Sequence, residues 1–388
     1  MTLPSEHLIA SSRKASSLLA NRDTPFIFNE WYVAAFSNEV GRELMPRMLL
    51  GKRVVLYRTL AGEAIALEDR CAHRSFALSR SRLEGDDIIC GYHGFRYDSA
   101  GDLVEVPSQK ACPRGVGVRR YTLVEKGPLL WIWLGDQALA DEARLPCQPW
   151  IEAPNWESTS GYFHHPGNYV SMHENLLDLT HLTFLHAATI GTPDYASAPF
   201  RLDLKEGHYK LIRDVVPTTL SPVWGKTTGL DGCNTAARIV TSEFLSPGLH
   251  QVSVTFYDSA LSPQSRSEYH IHTAHILTPE TQNSMHYFIV HGRDFAQDDE
   301  KLGDFMHEQL FAAFNEDVEG MGALEERLGD VDEGHYEISV ASDAPAVAAR
   351  IYLKKRATQE HQARQALSAG GADCRATAEH SELPIGTP

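Results

Sequence analysis

Two short cysteine–histidine pairs restrict what this 388-residue chain can fold into more than any other feature. Cys71 and His73 form a C-x-H pair, Cys90 and His93 form a C-x-x-H pair, and sixteen residues separate the two. Two thiolates and two imidazoles in this order suit a mixed-ligand [2Fe–2S] cluster, with Cys71 and Cys90 on one iron and His73 and His93 on the other. Neutral imidazoles in place of two thiolates remove negative charge from the outer iron and raise its reduction potential above that of an all-cysteine cluster. Structural zinc uses the same donors. Its Cys2His2 form, however, opens with two closely spaced cysteines in a short ββα unit, whereas each pair here is cysteine then histidine, with Arg74, Gly91 and Gly94 around the loops. The iron–sulfur reading is preferred.

Length and composition narrow the rest. A chain of 388 residues accommodates two domains, each with its own core. The apolar fraction of 43% and charged fraction of 22% are those of an ordinary globular protein. Formal charge is −16 and no Lys/Arg block marks a nucleic-acid footprint. DNA and RNA are therefore not expected as partners, although a local pocket remains free to take a small anion. Beyond the two cluster cysteines, Cys112, Cys147, Cys233 and Cys374 show no framework spacing, which speaks against a disulfide-built secreted domain. The N-terminal stretch lacks the continuous apolar core of a signal peptide, and no run of about 18 apolar residues suggests a membrane span. A cytoplasmic enzyme is the expectation.

Residues 1–27 read as an N-terminal extension with a short helix. From Trp31 the pattern changes to short strands: WYVAAF, then RMLLGKRVVLYR, then EAIALEDRC, with a hairpin turn at Ala61–Gly62. LVEKGPLLWIWLGD reads as a hairpin turning at Gly127–Pro128, and its dense apolar run reads as sheet core. Residues 137–160 fit a crossover, which places a boundary near Asp141 and an all-β domain over 28–140. A second domain over 141–357 opens with FHHPGNYV, followed by a helical segment from Ser171 to Gly191. Strand-like runs follow, with partial alternation that suggests an antiparallel sheet carrying a pocket. Apolar residues at helical spacing predict helices over 302–328 and from Asp343 to Leu353, and 358–388 reads as a tail with a mobile end.

The first helical segment of that domain holds Asn175, Asp178, His181 and His186. Histidines five apart do not share a face of a regular helix, so a break near Leu182–Leu185 is needed to bring both imidazoles to one ion. A two-histidine, one-carboxylate triad would bind non-heme Fe(II) and leave positions open for oxygen chemistry. Glu316, Asp317 and Glu319 are candidates for the carboxylate, and spacing does not choose among them. Trp224, Arg266, His270, His272 and His275 are candidate pocket residues, equally explained as sheet core or solvent face.

CAHR at 71–74, CGYHGFRYD at 90–98, NLLDLTHLTFLH at 175–186 and FNEDVEG at 314–320 together resemble the oxygenase component of Rieske non-heme iron aromatic ring-hydroxylating oxygenases. The resemblance is to the subgroup of vanillate O-demethylase and dicamba monooxygenase, and it covers about 28–355. It implies an α+β fold in which a small all-β Rieske domain precedes a larger catalytic domain, with an antiparallel sheet flanked by helices in a helix-grip, START-like arrangement. It further implies one [2Fe–2S] Rieske cluster and one mononuclear Fe(II) per chain, the latter held by His181, His186 and Asp317. Asn175 would lie near the iron, and Asp178 would bridge from His181 to a cluster histidine of a neighbouring subunit in a homotrimer or a multiple of it. Phe95 stands where relatives often carry tryptophan, and Glu174 is given no role. The implied activity is monooxygenation of an aromatic acid, by oxidative O-demethylation with release of formaldehyde. It would use O2 and electrons relayed from NAD(P)H by a separate reductase, with or without a ferredoxin. Ring mono- or dihydroxylation by the same metals is the alternative.

Overall fold

A computed structural model describes residues 26–146, 148–328 and 337–375. The helix expected within 1–27 lies outside these residues except for its last two positions, as do the expected mobile end beyond 375 and the side chains of Cys147 and Cys374. The architecture is α+β, with small antiparallel sheets followed by a larger antiparallel sheet and its helices.

In the N-terminal half, β1 (Trp31–Phe36) pairs with β10 (Leu129–Trp133), which pairs with β9 (Thr122–Lys126). A second sheet holds β2 (Met45–Leu49), β3 (Lys52–Arg58) and β4 (Ala64–Glu68). The run RMLLGKRVVLYR is thus two strands rather than one. Leu50 and Gly51 turn it with φ of +50° and +70°, a left-handed pair matched to a tight hairpin. A third sheet, β5 (Arg82–Glu84), β6 (Asp87–Ile89), β7 (Arg96–Tyr97) and β8 (Leu103–Glu105), carries the second ligand loop between β6 and β7.

Every residue of β1 and β10 is buried, which explains the unbroken apolar run LLWIW. Alternate side chains point to opposite faces of a strand. Tyr32, Ala34, Leu130 and Ile132 enter the core of the N-terminal half, whereas Trp31, Val33, Trp131 and Trp133 pack on the C-terminal half through Leu249, Ile276, Phe288 and Val290. Backbone-directed bonds reinforce that seam. Thr278 Oγ1 donates to the Val33 carbonyl at 2.8 Å, and the Leu50 amide donates to the Pro279 carbonyl at 2.7 Å.

Seven strands form the large sheet: β11 (Glu157–His165), β12 (Phe200–Lys205), β13 (His208–Thr218), β14 (Ala236–Ser246), β15 (Leu249–Asp258), β16 (Glu268–Thr281) and β17 (Ser284–Arg293). Their order is β11-β17-β16-β15-β14-β13-β12, so a chain of hairpins is closed at one edge by its first strand. One face of the sheet meets the N-terminal half. The other packs on α1 (Tyr169–Leu177), α3 (Glu300–Leu328) and α4 (Ala344–Arg375), with α2 (Pro222–Thr228) between β13 and β14.

One expectation is corrected and another is extended. The last helix does not stop near Leu353 but continues through the expected tail to Arg375. It is held there because Glu360 accepts from the amides of Phe28 and Asn29 at 3.0 and 3.1 Å, and Arg356 meets Glu30 at 2.9 Å. The Ser171–Gly191 segment breaks twice: the 3-10 turn ends at Thr183, within the expected Leu182–Leu185, and an additional break falls earlier, at Asp178. There the Asp178 carboxylate accepts from the amide and hydroxyl of Thr180 at 3.1 and 3.0 Å, which caps a new 3-10 turn over Leu179–Thr183.

Candidate metal centres

The two cysteine–histidine loops are built alike. In the first, the Cys71 amide donates to the Phe76 carbonyl at 2.8 Å and the Ser75 amide to the Cys71 carbonyl at 3.0 Å. In the second, Cys90 donates to Phe95 at 2.8 Å and Gly94 to Cys90 at 3.0 Å. Both loops need a left-handed residue at the same place, Ser75 at φ +58° and Gly94 at +75°. The result buries both cysteines and leaves both histidines exposed, with the imidazole centroids of His73 and His93 4.7 Å apart. Phe95 stacks on His73 at 4.7 Å and 5°.

Tyr97, which the motif did not single out, lies beside the first thiol. Its hydroxyl accepts from the Ala72 amide at 3.0 Å and lies 3.1 Å from Cys71 Sγ, placed to donate to that sulfur once it is a thiolate. Burial pushes the Tyr97 phenol up, which keeps it a donor. A donor aimed at a ligating sulfur stabilises the thiolate and tunes a cluster's potential. The four ligands, two buried and two exposed, fit the mixed-ligand cluster.

The second constellation assembles from α1, the turns after it and α3. Ligand atoms of His181, His186 and Asp317 all lie within 4.8 Å of one another. Behind each imidazole stands an acceptor for Nδ1. His181 Nδ1 donates to the Asp178 backbone carbonyl at 2.7 Å, and His186 Nδ1 donates to Glu316 Oε2 at 2.7 Å. Both rings therefore turn Nε2 toward Asp317 Oδ1, at 3.5 and 3.1 Å. This is the tautomer and orientation a metal-ligating histidine requires. Burial pushes the Asp317 carboxyl up, yet the two imidazoles win and hold it well below the usual carboxylate range. Asn175 Nδ2 donates to Asp317 Oδ1 at 3.0 Å, which places Asn175 at this centre. Two imidazoles, each oriented from behind, and one buried carboxylate fit mononuclear Fe(II).

The structure also chooses among the carboxylates. Successive residues on a helix diverge by about 100°. On α3, Asp317 faces the histidines, Glu316 supports His186 and Thr189 at 2.7 and 2.8 Å, and Glu319 bonds Asn315 at 2.6 Å. The expected side-chain contact from Asp178 to His181 is replaced by a backbone one, because the carboxylate is occupied with Thr180. Glu174 pairs with Arg350.

His181, His186 and Asp317 line one cavity together with Leu182, Ile190, Val240, Val254, Leu310 and Phe314. Of the candidate pocket residues, Trp224 and His275 reach it. His270 and His272 do not, because β16 alternates: Ile271, Thr273 and His275 face the cavity, while His270 bonds Asp294 at 2.7 Å and His272 stacks on Trp156 at 4.4 Å. Arg266 pairs with Glu268 at 2.9 Å on the surface.

Gly191 closes the turn that returns from His186. Its amide donates to the His186 carbonyl at 2.9 Å, and a Cβ there would lie 1.8 Å from the Leu182 carbonyl oxygen. Gly191→Ala is expected to displace that turn, to cost about 3 kcal/mol of stability, and to lower iron content at the second site. Thermal unfolding and iron per chain would check it, and wild-type values in both would refute it.

A buried-thiol, exposed-imidazole cluster loop pair followed by a two-histidine, one-carboxylate iron site defines a Rieske-type non-heme iron oxygenase. Known proteins agree. The Rieske [2Fe-2S] domain model matches residues 30–122, and the model of the vanillate O-demethylase oxygenase C-terminal domain matches 166–359. A toluene-4-sulfonate monooxygenase system iron-sulfur subunit of Comamonas testosteroni is 34% identical over 328 residues, 82% of this chain and 93% of the relative. The oxygenase component of dicamba O-demethylase from Stenotrophomonas maltophilia is 32% identical, over 79% of this chain and 90% of that protein. The crystal structure of dicamba monooxygenase bound to dicamba superposes with a TM-score of 0.80 at 28% identity, over 87% of this chain and 99% of that one. The chain belongs to the Rieske non-heme iron oxygenases, in the vanillate O-demethylase and dicamba monooxygenase subgroup. Among the described residues, no helix is long and apolar enough to cross a membrane.

Proposed function

We propose that this protein is the oxygenase component of a monooxygenase that removes the methyl group of a methoxylated aromatic acid. The observation that carries the reading is the shared cavity, in which the ligand triad meets a wall of aliphatic and aromatic side chains of the kind that packs against an aryl ring. Relatives whose names specify dicamba and vanillate O-demethylation support it.

When bound, the iron–sulfur cluster supplies single electrons and Fe(II) supplies O2 activation. In the overall balance, methoxyarene, O2, two electrons and two protons give a phenol, formaldehyde and water. The methoxy carbon gains a hydroxyl, and the resulting hemiacetal breaks at its C–O bond. This chain's residues set the conditions. Leu182, Val240, Val254 and Phe314 exclude water, Glu316 and the Asp178 carbonyl lock the two imidazoles, and Asn175 holds Asp317.

Electrons would come from NAD(P)H through a separate reductase, in the cytoplasm. In a ring of three subunits, the exposed His73 and His93 of one subunit would approach Asp178 of the next. Support comes from the half-buried position of Asp178 on an open groove of about 530 Å3 with Ser171, Asn175 and Glu325. Domains over 28–140 and from 141 onward are supported by the family matches at 30–122 and 166–359, with the last helix running past the expected limit of 357, and a helix-grip, START-like arrangement is supported by the single helix-covered face of the seven-stranded sheet.

The test is a product screen with a compatible reductase and NADH over methoxybenzoates, other aromatic acids and sulfonates. Formaldehyde equal to the O2 consumed, with a phenol product, is expected. A cis-diol or ring-hydroxylated product without formaldehyde would overturn the reading in favour of ring hydroxylation.

A further inference from the structure

Arg238 is the one lysine or arginine among the described residues that line the cavity of the metal triad. It lies on β14 and points to the same side of the sheet as Val240, two residues on. It is 2% exposed. Its Nη1 donates to the Ile190 carbonyl at 2.9 Å, its Nε has no hydrogen-bond partner, and its guanidinium packs over Tyr195 and Trp224 at 5.0 and 6.0 Å. Among the described residues no carboxylate forms an ion pair with it. Asp194 acts on it only at longer range.

Such a group is costly to bury unless a counter-charge completes it. The neighbouring strand supplies a comparison. Arg213 on β13 is 1% exposed, and its Nη1 donates to the carbonyls of Tyr195, Ala196 and Ala198 at 3.2, 3.1 and 2.8 Å. Its Nε and Nη2 are also without partners among the described residues, so the orphaned nitrogen alone does not set Arg238 apart; Arg213 is not on the cavity wall, and its bonds tie down the loop before β12. Arg238 has one such bond and faces the cavity. The remaining ionisable groups beside it do not compete for an anion. Burial pushes His275 down to about 4 and His291 to about 3, so both are neutral near pH 7 and offer an anion no charge.

We propose that Arg238 is the anion anchor of the substrate site, holding the carboxylate or sulfonate of an aromatic monoanion by paired N–H···O bonds while the carbon to be oxidised faces His181, His186 and Asp317. A guanidinium is suited to this task because its planar fork matches two oxygens of either group. The proposal deepens the function read above and rests on it for the aryl substrate. It adds the charge that the substrate must carry and the residue that reads it.

The experiment uses the holoenzyme as wild type, Arg238→Gln and Arg238→Lys. Binding of 4-methoxybenzoate, 4-toluenesulfonate and the neutral 4-methoxybenzamide is measured by equilibrium dialysis and by tryptophan fluorescence, to which Trp224 in the cavity contributes. Arg238→Gln should weaken at least one anion by about 100-fold, as loss of charged hydrogen bonds does, and leave the amide within about threefold. Arg238→Lys should fall between. The anion that responds identifies which acid group the site takes. Equal loss for anion and amide would show a purely structural arginine and overturn the proposal. So would unchanged anion binding, or wild-type protein that binds no anion better than the amide. If Arg238→Gln does not fold, the anion-to-amide ratio in Arg238→Lys decides, and an unchanged ratio overturns the anchor. Formaldehyde from methoxybenzoate, read on the same wild-type preparation, separates the two claims. Anion selectivity that depends on Arg238 without formaldehyde leaves the anchor and removes demethylation, whereas formaldehyde without that selectivity does the reverse.

Discussion

Asp317→Ala is expected to empty the second metal site while leaving the iron–sulfur spectrum of the first unchanged. Asp317 is buried, faces both imidazoles through Oδ1, and belongs to α3, which contributes nothing to the loops around Cys71 and Cys90. Removing a buried carboxylate leaves two nitrogen donors and no charge to offset a divalent cation. Even outer partners of metal ligands are worth about 10- to 100-fold in metal affinity or activity, so loss of a ligand should cost more than about 100-fold in turnover. Iron analysis should drop by the mononuclear share alone, and the reduced cluster should keep its electron paramagnetic resonance signal. Full mononuclear occupancy in the variant would sink the ligand assignment. Glu316→Gln is the informative companion. It keeps an acceptor behind His186 Nδ1 and should retain most of the iron, because Glu316 supports the ring without facing the metal position.

Asp178→Asn should have nearly as large an effect by a different route. The Asp178 side chain caps the 3-10 turn through Thr180, and its backbone carbonyl accepts from His181 Nδ1. Asparagine keeps a cap oxygen and the carbonyl, so folding and both metals should survive. What it removes is a charge at the groove where the proposed neighbour's exposed His73 and His93 would dock. Turnover is expected to fall by about 10- to 100-fold, with slowed re-oxidation of the reduced cluster in single-turnover mixing. Wild-type turnover at full metal occupancy would remove Asp178 from the electron path. Loss of iron in Asp178→Asn would instead assign it a structural role.

Much of the site was legible before any coordinates. The thiolate and imidazole ligands of the first centre lie within twenty-three residues, and their order alone restricts the cluster type. The hairpins were legible for a similar reason. Turn residues such as Gly62 and Gly127, with φ of +88° and +56°, act on their immediate neighbours. Two contacts that hydrophobic periodicity does not register account for the differences, one local and one distant. The break after α1 sits at Asp178 because its carboxylate finds Thr180, and α4 outruns its apolar pattern because Glu360 finds two amides more than 300 residues away in sequence.

The cysteine–histidine loops are recorded in local order and spacing, so the sequence itself names four candidate cluster ligands, and it shows two histidines that need a helix break between them and a third ligand. Tertiary structure decided the rest. It selected Asp317 over Glu316 and Glu319, 131 residues from His186, by the rotation of one helix against another. It paired β11 with β17, and it set Arg238 on the wall of the metal cavity with no carboxylate partner among the described residues. These outcomes depend on which faces of distant elements meet, and periodicity along a chain shows that a residue has a face without showing what that face will touch.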